Sequence, residues 1–159
     1  MDSNKLVRSA LIYLFVFCYP GAVVSGEINT GPSGGNLAIL GYDPVAYFTE
    51  RRAVRGSRDI SYNWLGAEWN FSTEKHRQLF SEDPIRYAPQ YGGHCADGMA
   101  FGVTVKYIDP KAWRIIEGQL YLHYDEASAV HLEETEGELE RARANWPAQR
   151  AQLLEESGN

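Results

Sequence analysis

The segment QYGGHCADGMAFG, residues 90–102, holds the side chains best suited to chemistry. Cys95 carries a thiol, His94 precedes it with an imidazole, and Met99 follows four residues later with a thioether. A thiolate, a thioether and an imidazole together suit a soft cation such as Cu(I). Three interpretations of Cys95 therefore stand: a soft-metal ligand, a redox thiol, or a buried residue that only fills the core.

Two glycines, Gly92 and Gly93, stand directly before this group. Glycine adopts positive φ readily and lets another segment of backbone approach closely. The small residues after Cys95 are suited to beginning a helical turn, and a cysteine at a helix N-terminus has a lowered pKa. We therefore expect a shallow, glycine-lined site in which the pKa of Cys95 lies below about 8.5.

The N-terminal residues 1–26 have the pattern of a signal peptide. Lys5 and Arg8 form a basic head, an apolar run follows, and small residues precede Gly26. Pro20 interrupts the run too early for a membrane span, which needs about 20 apolar residues. We expect cleavage near Gly26, export to the periplasm or the medium, and no stable membrane span afterwards. Retention as an uncleaved anchor is the alternative.

Charge and cysteine count limit the partners of the chain. The 159 residues carry a net charge of −6, and without residues 1–26 there remain 13 basic and 20 acidic residues, a charge of −7. An acidic chain without basic clusters is poorly suited to nucleic acid, so a metal ion or a protein is the expected partner. Because Cys18 lies in the signal segment, Cys95 is left without an internal disulfide partner. A redox cycle would then need an external resolving thiol.

Enzymatic chemistry has little support in the sequence. No glycine-rich phosphate loop, no Ser–His–Asp order and no zinc-protease motif is present. Asp97 lies close to Cys95 and His94, but sequence neighbours rarely converge in space as a catalytic triad does. A non-enzymatic role is the expectation.

The pattern of helices and strands expected around these residues predicts one small α+β domain. We expect a flexible leader over residues 27–38 and the folded domain over residues 39–147. A polar C-terminal tail, which could extend the last helix, is expected over residues 148–159. Alternating apolar residues predict two short β-hairpins, which turn at Leu65-Gly66 and at Glu117-Gly118.

Capping residues predict several short helices between and after the hairpins. The expected starts are Asp43-Pro44, Ser72 or Thr73, Asp83-Pro84, Asp125, and Thr135 with Glu138 as a capping box. The last helix is expected to end near Trp146-Pro147, because proline disrupts a helix interior. Large aromatic residues are expected to be mostly buried, namely Trp64, Trp69, Phe80, Tyr87 and Trp113.

Several motifs, in this order, resemble those of the exported single-domain YHS proteins. They are GYDPVAYF, LFSEDPIRYAPQYGGHCADG, AWRIIEGQLYL and ANWP, and the resemblance covers residues 39–147. It implies a compact α+β domain distantly related to treble-clef metal domains. Its structural motif residues are Asp43, Pro44, Tyr87, Gly92 and Gly93.

The resemblance also bears on metal binding. YHS modules beside heavy-metal ATPases carry a C-x-x-x-C pair associated with metal, and its two positions fall on Ser72 and His76 here. The thiolate pair is thus absent, and the exported branch carries its cysteine after the two glycines, as Cys95. His76 joins His94 and Met99 as a candidate ligand. The implied function is a copper-type metal-binding module that uses one cysteine. The alternatives are a thiol-redox protein and a non-catalytic partner-binding module in which Cys95 is structural.

Overall fold

Two antiparallel β-hairpins, each a sheet of its own, carry the strands of this α+β protein. The computed structural model describes residues 25–158, so residues 1–24 of the expected signal peptide lie outside the described part of the chain. Strand β1 (Ser57–Trp64) pairs with β2 (Ala67–Phe71), and β3 (Asp109–Ile116) pairs with β4 (Gln119–His123). The predicted fold class is confirmed.

Both hairpins turn at the predicted dipeptides. Leu65 and Gly66 have φ values of 49° and 71°, and Glu117 and Gly118 have φ values of 53° and 77°. Positive φ at both central residues characterises the two-residue turn whose twist matches that of the flanking strands. Glycine at the second position lowers the cost of this geometry.

Six α-helices, most of them short, lie within residues 25–158. They are α1 (Ala46–Thr49), α2 (Glu74–Glu82), α3 (Pro84–Tyr87), α4 (Ala96–Ala100), α5 (Glu126–Glu134) and α6 (Glu138–Ser157). Three predicted N-caps are confirmed, because Thr73, Asp83 and Asp125 each accept a hydrogen bond from the backbone N–H three residues on. None of these helices is long and apolar enough to cross a membrane.

The start of α6 differs from the prediction. Its N-cap is Gly137, in the left-handed region at φ 79°, with no side-chain cap. Glu138 pairs with Arg141, at 2.6 Å between Oε1 and Nη2, instead of capping together with Thr135. The capping-box prediction is therefore wrong, because the salt bridge within the first turn engages the glutamate.

The end of α6 also differs, because Pro147 lies inside the helix, which continues to Ser157. A proline in a helix interior removes one backbone hydrogen bond and crowds the preceding turn. Contacts of the second half of α6 with the N-terminal segment offset this cost. Leu153 is buried, and Arg150 pairs with Glu27. The predicted polar tail is thus the packed continuation of the helix.

The N-terminal residues 27–29 are buried, where the sequence predicts a flexible leader. The Asn29 side chain donates from Nδ2 to the carbonyl oxygens of Gly93, at 3.0 Å, and of Lys106, at 3.1 Å. Its backbone N–H donates to the carbonyl of Gly92 at 2.9 Å. The leader prediction is wrong for these three residues, because a buried side-chain amide ties them to two distant segments.

Strand β4 contributes to two clusters of buried side chains. Leu120 and Leu122 belong to the larger cluster and Tyr121 to the smaller one, since alternate residues of a strand point to opposite faces. The predicted aromatic core is confirmed for Trp69, Phe80 and Tyr87, which are buried. Trp64 and Trp113 are only partly buried and pack against the larger cluster.

Candidate functional site

Cys95 is the N-cap residue of α4, and His94 separates it from the 3-10 turn Gln90–Gly93. Its backbone N–H donates to the carbonyl of Val105 at 3.1 Å, and its Sγ accepts a hydrogen bond from the backbone N–H of Tyr124 at 3.2 Å. The residue is only 2% exposed. The thiol therefore lies beneath the surface, beside the end of β4.

Burial raises the pKa of the Cys95 thiol above its ordinary value. The backbone N–H groups of Gly98, Tyr124 and Asp97 favour the thiolate, but their effect is smaller than that of desolvation. The predicted lowering of this pKa is therefore wrong in direction. A helix N-terminus stabilises a thiolate, but removal from water penalises the charged form more strongly here.

His94 is buried beside Cys95, with 1% of its surface exposed. Neither ring nitrogen has a hydrogen-bond partner among the described residues. Burial lowers the pKa of His94 to about 4, the charge of Lys106 adds to this effect, and the nearby Val105 carbonyl opposes it without reaching hydrogen-bond geometry. The imidazole is thus neutral at neutral pH and keeps one donor and one acceptor unused.

Met99 lies wholly inside the smaller buried cluster, with Tyr91 and Tyr121. Its backbone carbonyl accepts a hydrogen bond from Nδ2 of Asn145 in α6 at 3.1 Å. A flexible thioether fills irregular space in such a core well. Packing between α4 and α6 accounts for this residue.

The two glycines permit close approach of the N-terminal segment. Gly92 and Gly93 have φ values of 63° and 84°. A Cβ atom on Gly92 would collide with the carbonyl of Glu27, and one on Gly93 would lie 2.6 Å from Cγ2 of Ile39. The expected positive φ and close approach are both present, and the approaching groups belong to the chain itself.

A second polar cluster surrounds Asp43, which is fully buried. Its Oδ2 accepts hydrogen bonds from the Ser72 backbone N–H at 2.8 Å and the Ser72 Oγ at 2.7 Å, and it lies 2.7 Å from Nδ1 of His76. Its Oδ1 accepts from the N–H groups of Val45, at 2.9 Å, and Ala46, at 3.3 Å. A buried carboxylate is tolerated when its oxygens are hydrogen-bonded in this way.

This cluster extends to the hydroxyl group of Thr49, since Nε2 of His76 lies 3.2 Å from Oγ1 of Thr49. The sequence of carboxylate, imidazole and hydroxyl from Asp43 to Thr49 matches the order of a hydrolytic triad. However, Thr49 Oγ1 also donates to the carbonyl of Val45 at 3.1 Å, as a helical threonine commonly does. The arrangement is a hydrogen-bonded connection between α1, the end of β2 and α2.

The four predicted metal ligands do not form one group. His94 and Cys95 are adjacent, Met99 lies in the smaller buried cluster, and both ring nitrogens of His76 have partners in the Asp43 cluster. From residue 25 to residue 158, no group of three or more His, Cys, Asp or Glu side chains could hold a metal ion. As one set, the four side chains do not fit a metal ion.

The remaining motif residues support the larger buried cluster. Pro44 is buried beside Asp43. The ring of Tyr87 lies edge-on to that of Phe48, with 5.5 Å between the ring centroids. Both positions are explained by packing.

A cavity of about 270 Å³ adjoins His94, and sequence reasoning missed it. Its walls come from the N-terminal segment, the residue before Cys95, the loop after α4 and the end of α6, and they include Ile28, Asn29, Thr30, His94, Lys106 and Ser157. These stretches are distant in sequence, so no local pattern indicates that they meet. The one available signal was Lys106, the single charged residue of the segment FGVTVKYI.

Comparison with known proteins does not assign this chain to a family. No protein-family model, no curated protein and no solved structure matches the chain. The resemblance to exported YHS proteins therefore depends on the sequence motifs alone.

Proposed function

We propose that this protein is an exported, non-catalytic binding module of the YHS type, in which Cys95 serves the packing of the domain. The environment of Cys95 is the observation that supports this best. The thiol is buried, its Sγ accepts the Tyr124 N–H, and burial raises its pKa. Both a metal ligand and a redox nucleophile require the thiolate, whereas this environment favours the neutral thiol.

The engagement of other reactive side chains supports a binding role over an enzymatic one. Asp97 pairs with Nδ1 of His131, at 2.7 Å, and is thereby engaged away from His94. Asp43 and His76 are engaged in the connection between α1, β2 and α2.

Thiol reactivity tests the proposed role of Cys95. The purified protein is treated with a thiol reagent in native buffer and in denaturant, at several pH values between about 5 and 9, a range that spans the ordinary pKa of cysteine. We expect slow reaction in the folded protein and rapid reaction after unfolding. Rapid reaction of the folded protein near pH 7, or a mixed disulfide trapped with a partner, would instead favour the thiol-redox alternative.

Copper-type metal binding is the second candidate, and the state of His94 favours it. A neutral imidazole without a partner is the form that binds a metal. Binding at Cys95 would have to displace the thiol proton. Cu(I) titration against a competing chelator compares the wild type with Cys95→Ala. If Cys95 is structural, the wild type and the variant should compete equally with the chelator for Cu(I). If only the wild type withdraws Cu(I) from the chelator, metal binding at Cys95 replaces the first proposal.

Export is the part of the proposal that depends on residues 1–26. Mass spectrometry of the protein recovered from its cells should find an N-terminus close to Glu27. An intact Met1 on protein extracted from membranes would show that the segment is an anchor.

A further inference from the structure

A groove of about 530 Å³ is lined by the end of β3 and by the connection between α5 and α6. Apolar side chains form its inner surface and glutamates surround it, and no lysine or arginine is among the described residues that line it. We propose that this α5–α6 groove binds a basic amphipathic segment of a partner protein, in which lysine or arginine side chains accompany apolar ones. This inference depends on the proposed binding function and names the class of partner.

Part of the apolar surface of the groove is accessible to a ligand. Ile116, the last residue of β3, and Leu139, in the first turn of α6, are partly exposed and pack against the smaller buried cluster. Leu132 also lines the groove but is only 2% exposed, so it supports these two side chains and offers little contact itself. Because covering Ile116 and Leu139 removes apolar surface from water, the groove favours a partner with apolar side chains.

Three of the five glutamates that line the groove have no positive partner. Glu117 pairs with Arg143, at 2.6 Å between Oε2 and Nη2, and Glu133 pairs with Arg114, at 2.7 Å between Oε2 and Nε. The other three are exposed and form no salt bridge with any residue of the described range 25–158, namely Glu134, Glu136 and Glu140. Unpaired negative charge beside apolar surface is complementary to a segment that carries both positive charge and apolar side chains.

The distribution of these carboxylates favours a segment with several positive charges over a single ion. Glu134 ends α5, Glu136 lies in the connection, and Glu140 lies in the first turn of α6. Among the described residues, no three acidic, histidine or cysteine side chains are arranged to hold one metal ion. Ligand sites commonly span about 300–1,000 Å³. At about 530 Å³, the groove accommodates several side chains of a partner at once.

The net charge of the chain favours a different protein over a second copy as the occupant of the groove. The 159 residues carry a charge of −6, so two copies repel each other at a distance. A basic partner is attracted instead, and this attraction accelerates association before any contact forms. The groove therefore suits a basic segment of another protein.

The test is an NMR titration of the purified, methyl-labelled protein with a short synthetic peptide of lysine and leucine. We expect saturable shifts of the Ile116 and Leu139 methyl signals. The methyl signals of Ile85 serve as the control and should not shift, because this residue is 79% exposed but precedes Arg86 and does not line the groove. Two control peptides, with serine in place of leucine and with glutamate in place of lysine, should bind more weakly. Equal binding of either control peptide, or no saturable shift at Ile116 and Leu139, would overturn the proposal.

Two double variants separate the groove from general attraction to an acidic protein. Glu134→Gln with Glu136→Gln removes two exposed charges, so the protein is expected to fold, and binding of the lysine–leucine peptide should weaken about three- to tenfold. Asp59→Asn with Glu82→Gln removes the same charge from exposed positions of β1 and α2 and should leave the affinity almost unchanged. Raising the NaCl concentration from about 0.01 M to about 1 M, which shortens the Debye length from about 30 Å to about 3 Å, should weaken binding by the wild type more than by the groove variant. Equal affinity of the two double variants would overturn the site.

The outcomes for the α5–α6 groove and for Cys95 are independent. Failure of peptide binding with an unreactive Cys95 rejects the class of partner and leaves the proposed function standing. Saturable binding at Ile116 and Leu139 with a reactive Cys95 does the reverse, because it retains the groove and rejects the structural role of the thiol.

Discussion

At the scale of single residues, two Asp-Pro pairs with the same sequence signature have different environments. Asp43 is fully buried, and its carboxylate has partners in α1, in α2 and at the end of β2. Asp83 is exposed and accepts one hydrogen bond, from the Arg86 N–H at 3.3 Å. The sequence predicts an N-cap for both. It does not distinguish them, because Ser72 and His76 lie 29 and 33 positions beyond Asp43.

Replacing each aspartate by alanine should therefore have unequal effects. Asp43→Ala leaves buried N–H groups and the His76 ring without their acceptor, so we expect a loss of about 3–5 kcal/mol in the free energy of unfolding. Asp83→Ala removes an exposed cap and should cost about 1 kcal/mol. Urea unfolding of both variants at neutral pH measures the difference. Similar losses would mean that the Asp43 cluster stabilises the fold no more than an ordinary cap.

At the scale of elements, local signals predicted the hairpins and most helix starts. The turn at Leu65-Gly66 depends on two residues, and the caps at Thr73 and Asp125 act within three. The continuation of α6 beyond Pro147 and the burial of residues 27–29 depend instead on contact between the two ends of the described chain. Such contacts leave no periodic or capping pattern in either segment.

The candidate site was predictable to the same extent. The glycine pair and the cap position of Cys95 follow from residue types, and the structure contains both. The direction of the Cys95 pKa shift depends on burial, which the whole fold determines. The cavity beside His94 forms only where four stretches of the chain, distant from one another in sequence, meet.

Gly92 offers a test of how the N-terminal segment docks. Gly92→Ala places a Cβ atom against the Glu27 carbonyl and also forces alanine to positive φ. Gly118→Ala imposes the positive φ alone, because nothing lies within 4 Å of its added Cβ. We expect a loss of about 1–2 kcal/mol for Gly118→Ala and a further loss of about 1–3 kcal/mol for Gly92→Ala from the collision.

Hydrogen exchange identifies the element that responds. The Asn29 N–H, which donates to the Gly92 carbonyl at 2.9 Å, should exchange faster in Gly92→Ala and at the wild-type rate in Gly118→Ala. Equal stability losses and an unchanged Asn29 rate would show that the segment does not require a glycine at this position.

At the scale of the whole molecule, two buried histidines link stability to pH. Burial is the main cause that lowers the pKa of both His94 and His123 to about 4. In the unfolded chain, a histidine takes up its proton near pH 6.5. The unfolded state therefore binds more protons between these values. Stability is fully present above about pH 6.5 and falls as the pH decreases toward about 4.

His131 acts in the opposite direction. A hydrogen bond with Asp97 raises its pKa, so its contribution is present below the unfolded pKa and is lost as the pH rises through the folded pKa. The side chain is exposed, and solvent screens its interaction with Asp97. The two buried rings should therefore determine the direction of the pH dependence below pH 6.5.

The free energy of unfolding, measured with urea at several pH values from about 7.5 to about 4.5, tests this expectation. A shift of this size corresponds to about 3 kcal/mol for each buried histidine, so much of the fall should occur before the carboxylates begin to titrate. His131→Gln serves as the control, because it removes the opposing contribution and should leave the acid-induced loss in place. A free energy that stays constant from pH 7 to pH 5 would show that the buried rings of His94 and His123 take up protons in the folded protein.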